Sequence, residues 1–250
     1  MKYIKDNWKF FVFMIVMCII GAYFTTIYSL QTVDQKVLDE AIKQVGSKDM
    51  VIAITVIQTI IYGIMFAGLG LILSNKVGLW KKFKKDKDAI KWTTIIAIVG
   101  GLLLIGDRYI FGPFIEQVRQ SYEVKPSIEY IIASFTYGGV FEEILMRLFL
   151  MSLFAWIIAK IFYKKEKKIP VKVFVIANII TALLFAAGHL PSTIQLFGSL
   201  TPLIVFRCFL MNGAFGLAVG WLYRKYSIHY SMLAHFGAHL VSKVIWILFI

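Results

Sequence analysis

Long apolar runs separated by short polar connectors dominate this chain. They are Phe10–Leu30, Val51–Leu73, a run from near Trp92 that fades after Ile105 into Asp107-Arg108, a long one from Tyr130 towards Tyr163, Val171–His189, Pro202–Tyr223 and Ile228–Ile250. Each approaches the roughly 20 apolar residues that carry a helix across about 30 Å of hydrocarbon. The pattern predicts an all-α fold, a polytopic transmembrane helical bundle of about seven spans, or eight if Tyr109–Gln117 holds a short further segment. The third helix should kink or stop around Gly112-Pro113, and Pro170 suits the first turn of the fifth. The fourth run is too long for one straight span and is expected to break or leave the bilayer after Arg147. The first run is too long for a signal-peptide core and lacks a small-x-small cleavage site, since Ile20 precedes Gly21-Ala22, so it reads as a retained helix.

Composition agrees with this reading. Of 250 residues, 59% are hydrophobic and only 16% charged, with a mean hydropathy of +0.76, more apolar surface than a soluble domain of this length needs. The net charge of +13 does not point to nucleic acid, because the lysines gather in short loops between apolar runs. Lys81, Lys82, Lys84, Lys85 and Lys87 form one such cluster, and Lys164, Lys165, Lys167 and Lys168 another. That distribution is the positive-inside pattern, with attraction to anionic lipid headgroups. The amino terminus, 76–91, 160–172 and Arg224-Lys225 are basic, whereas 31–49, 106–127 and 190–200 are not. The unbroken alternation places the amino terminus inside and the carboxyl terminus outside. A lysine- and isoleucine-rich chain of this kind is expected in a bacterial cell membrane. Cys18 and Cys208 lie within apolar runs and read as small buried hydrophobes.

Against this background the ionisable residues stand out. An ionised side chain at the centre of a membrane helix costs about 2.5–3.5 kcal/mol even on forgiving insertion scales. Glu142 and Glu143 are adjacent in the fourth run, with Arg147 four residues after Glu143, on one helical face where the two can pair. Glu142 projects about 100° away and is left free to face a cavity. A second site is Phe185 to His189, and a third is His235 to His239, whose imidazoles are four apart on one face, a spacing that suits either one metal ion or a hydrogen-bond array. Each group alone has a packing explanation; three in one chain point to chemistry. Weaker candidates are His229 at the inner boundary, Arg207 and Lys243, both expected to snorkel outward, and Gln58, Asn178 and Asn212, suited to interhelical hydrogen bonds.

The order Glu142-Glu143-x-x-x-Arg147, then Phe185-x-x-x-His189, then His235-x-x-x-His239 resembles the CPBP intramembrane proteases, which include type 2 CAAX prenyl proteases and bacteriocin-processing enzymes of the Abi family. The resemblance covers about residues 128 to 245. It implies two parts, amino-terminal transmembrane helices over 1–127 and a catalytic helical core over 128–250. It departs at His239, where similar proteins often carry asparagine.

The resemblance implies an intramembrane endopeptidase acting on a membrane-associated peptide or protein: a signalling peptide, a bacteriocin precursor or a CAAX-type substrate. Glu142 would activate water held with His189, while His235 and His239 donate to the oxyanion. Glu143 and Arg147 would hold the helix and its electrostatics. No cofactor is required in that mechanism; the alternative is zinc held by His189, His235, His239 and Glu142. The expected partners are the peptide or protein substrate and the lipid bilayer. Two other classes fit part of the pattern, a proton- or ion-coupled transporter and a non-catalytic immunity protein. One difficulty accompanies the protease reading. In this topology His189 lies near the outer end of its span and His235 nearer the inner end of its own, so upright helices ending at the expected boundaries would keep them apart.

Overall fold

The structure, a computed structural model, describes residues 2–250. It is helical throughout, with no strand among the described residues. Seven helices are long and apolar enough to cross a membrane: Trp8–Thr32, Lys48–Lys76, Lys87–Ile110, Ile128–Phe162, Val171–Phe197, Pro202–Lys225 and Ile228–Phe249, referred to below as the first to seventh spans. Several of them start at polar caps. Ser47, Asp86 and Thr201 accept from the backbone N–H groups of Met50, Ala89 and Ile204, satisfying donors that the first turn leaves free.

Three features refine the expected boundaries. The fourth run does not break after Arg147: it continues as one helical stretch of 35 residues, long enough to cross the bilayer at a tilt and project beyond it. The polar connector after the first span contains a helix, Gln35–Val45, started by the Asp34 side chain. The fifth span passes through His189 and continues as a helix over Leu190–Phe197. Region 109–117 yields no eighth span. The third span stops at Ile110, and the following helix, Glu116–Ser121, has six residues, about 9 Å of rise.

The seventh span packs along the third. The first and second spans lie against the two halves of the fourth, and the sixth against the fifth and seventh. The largest core includes Met14, Leu71, Ile144, Leu148, Met151 and Tyr223. Many large aliphatic side chains point outward, among them Ile57, Val99 and Leu183, as in a surface solvated by lipid. Cys18 and Cys208 are buried and unpaired. Asn178 donates to Leu217 O at 3.0 Å, an interhelical bond of the expected kind, whereas Asn212 bonds Cys208 O within its own helix.

Lys81 donates to the carbonyls of Arg224 and Lys225 at 3.0 and 2.8 Å, closing the carboxyl end of the sixth span with a cation. The contact puts two basic connectors at one end of the bundle, as the charge alternation requires. Single cysteines at Lys84 and Ser192, exposed to an impermeant thiol reagent in intact cells, are expected to label at Ser192 only. Labelling at Lys84 instead would invert the orientation.

Candidate active site

The fourth span is α-helical to Ala133 and then winds as a π-helix over Ser134–Glu142 and again over Ile144–Met151, with Glu143 between. Such winding adds about one residue per turn and is frequent at functional sites. The pairing expected from ordinary helical spacing survives it: Arg147 Nη1 lies 3.1 Å from Glu143 Oε1, and both side chains are sealed from solvent, at 1% and 0% exposure. Arg147 Nη2 donates to Gly216 O at 3.1 Å, and the guanidinium sits 4.6 Å from the centre of the Phe185 ring. A side chain at position 216 would press on that Nη2, on Ala182 and on Phe185, so the glycine is what admits the arginine between the spans.

Glu143 has further partners. Its Oε1 accepts from His235 Nδ1 at 2.8 Å, and its Oε2 accepts from the Ser231 hydroxyl. One buried carboxylate thereby joins the fourth and seventh spans and, through Arg147, the sixth. Because an ionised carboxylate only accepts, the shared proton belongs to His235 Nδ1, and Nε2 is turned the other way. Ser231 is not marked by any of the three motifs. Its one sequence signal is its position four residues before His235, on the histidine face.

Glu142 is oriented differently, as its angular offset predicted. It lines a cavity of about 400 Å³ together with His189, His235 and His239. Its two oxygens lie 3.9 Å from His189 Nε2 and 3.9 Å from His235 Nε2. The expected separation of the two histidines therefore does not occur. His189 sits within a helical stretch that runs on to Phe197, and its ring folds back along the helix, with Nδ1 2.7 Å from Phe185 O. His239 stacks on His235 with ring centres 5.1 Å apart. It makes no ion-pair contact with either glutamate, and its Nδ1 is buried without a partner. A side chain at Gly138 would lie 2.8 Å from His239 Nε2, so this glycine makes room for the ring.

The cavity continues past His239 to Asp107, Arg207, Tyr130, Lys243 and Trp246. Arg207 does not snorkel: its Nε donates to Asp107 Oδ1 at 2.7 Å and its Nη2 to Oδ2, a pair between residues 100 apart in sequence. Lys243 is also turned inward. His229 stays apart, boxed by Phe10, Trp80 and Phe83. No three His, Cys, Asp or Glu side chains among the described residues are grouped so as to hold a metal ion, and His235 Nδ1 is already engaged by Glu143.

A polar cavity lined by a carboxylate and imidazoles and enclosed by membrane-spanning helices makes this cluster the candidate active site. Residues 125–241, which contain all seven residues singled out by the motifs, match the model of the Rce1-like family, type II CAAX prenyl endopeptidases. The chain is similar to that family through this region. It is an integral membrane protein and an intramembrane protease by class, as the motif resemblance implied. No curated protein and no solved structure matches the chain.

Proposed function

We propose that the protein hydrolyses a peptide bond of a membrane-associated peptide with Glu142 as general base. The observation that supports this most directly is the placement of the Glu142 carboxylate 3.9 Å from two imidazole Nε2 atoms inside the cavity. These gaps are too long for direct hydrogen bonds, which leaves the carboxylate free to take up the attacking water beside the imidazoles. Glu142 takes a proton from that water as its oxygen bonds to the scissile carbonyl carbon. The C–N bond then breaks, and the same proton passes to the leaving amine.

The developing oxyanion needs donors. With Nδ1–H given to Glu143, His235 donates from Nε2 only as the imidazolium; the neutral ring would present a lone pair there. Glu143 therefore acts as the positioning carboxylate for His235, and Arg147 balances its charge. His239 is the second donor. No step is routed through a metal. The substrate is a peptide or protein within the membrane: a signalling peptide, a bacteriocin precursor, or a CAAX-type protein as in the family's description. The composition favours a bacterial setting and thus the first two. Comparing peptides from cells carrying the wild-type protein and Glu142→Ala tests the function. Product pairs are expected with the wild type alone, and identical profiles would overturn it.

The role of His239 has its own test. His239→Asn is expected to keep substantial activity, because an amide N–H replaces the donor at similar length. His239→Ala should lose about 10²–10³ in rate. Stoichiometric zinc in purified wild type, lost together with activity in His239→Asn, would replace the metal-free mechanism and leave hydrolysis standing, because asparagine is a poor zinc ligand.

A further inference from the structure

Lys243 follows His239 by one turn and His235 by two, so the three share a face of the seventh span. Its side chain is buried, 5% exposed, and lines the cavity that holds Glu142. Nζ lies 3.9 Å from the centre of the Tyr130 ring and 5.4 Å from that of Trp246. Among the described residues it forms no ion pair, while the other charges of the cavity are engaged: Asp107 with Arg207, and Glu142 beside two imidazoles. A lysine near a span's end normally carries its ammonium to the interface. This one faces inward, and attraction to two rings offsets only part of the cost of leaving water. A buried ammonium facing a cavity without a counter-ion is a receptor for an anion brought by the ligand.

We propose that Lys243 binds a carboxylate of the peptide substrate, its free carboxyl terminus, and thereby selects which peptides the site accepts. The inference rests on the hydrolytic reading, since the substrate is what delivers the anion. Eight residues of helix separate Lys243 from His235, about 12 Å, a distance covered by a few extended residues. Tyr130 and Trp246, whose rings flank the Lys243 ammonium, line the same end of the cavity.

The probes are N-acylated pentapeptides of one apolar sequence, ending in the free acid or in the carboxamide. A third ends in the carboxamide but carries an internal glutamate. Binding is measured by fluorescence on Glu142→Gln protein in detergent, so that turnover does not intervene. The free acid is expected to bind about 10–100-fold more tightly than the carboxamide, the range for a charge-assisted contact. Lys243→Gln and Lys243→Met, made in the same background, should erase the difference by weakening the acid alone, and Lys243→Arg should retain it. Equal binding of acid and carboxamide to protein with Lys243 intact would overturn the proposal, as would equal weakening of both in Lys243→Gln. Binding of the glutamate-bearing carboxamide as tight as the free acid would overturn the assignment to the terminus. Tight, Lys243-dependent binding of the acid with no cleavage of any peptide by the wild type would overturn hydrolysis and leave this anion site standing.

Discussion

Glu142→Gln is expected to abolish turnover while the protein folds as before. The substitution preserves shape but removes the carboxylate whose two oxygens face His189 and His235 across 3.9 Å. Positioned general bases contribute about 10²–10⁴-fold, and a loss of that size should appear in kcat with little change in substrate binding. The melting temperature in detergent should stay close to wild type, since Glu142 is 19% exposed to the cavity and forms no close ion pair. Wild-type rates in Glu142→Gln would remove it from the chemistry.

Glu143→Gln should behave otherwise, with both stability and activity falling. Glu143 is fully buried, and the change strands Arg147, itself 1% exposed, without its counter-charge. Breaking a buried pair in this way costs roughly 3–5 kcal/mol, which thermal unfolding in detergent reads as a lower Tm. Adding Arg147→Met to Glu143→Gln should recover much of that loss, because no buried charge is left unpaired. Activity should stay low in the double variant, since His235 Nδ1 no longer meets the carboxylate that turns its Nε2 towards Glu142. Recovery of both together would reduce Glu143 to a packing role and remove its positioning of His235.

The spans and the candidate residues were legible for different reasons. A helix such as Val51–Leu73 is visible because hydrocarbon thickness imposes a local length on apolar runs, and the structure extends it only to Lys48–Lys76. Glu142, His189, His235 and His239 were visible because polar groups in such runs are costly and need a reason. The angular offset that freed Glu142 for the cavity was also a local property. The end of the fifth span was not legible: Pro191, Gly198 and the polar residues around them read as a loop, yet the proline occupies the first turn of a further helix, where its missing N–H costs little.

The sequence by itself thus determined the membrane class, the seven main spans and which side chains hydrocarbon would not tolerate without a reason, because each follows from solvation along a short segment. Only the tertiary structure decided the partners. His235 meets Glu143 across 92 positions, Arg207 turns to Asp107 rather than to the interface, Ser231 joins the buried carboxylate, and Lys243 faces the cavity. A buried polar group must be satisfied by whatever neighbouring helices bring within about 3 Å, and helix register and tilt, which no single segment encodes, set that neighbourhood.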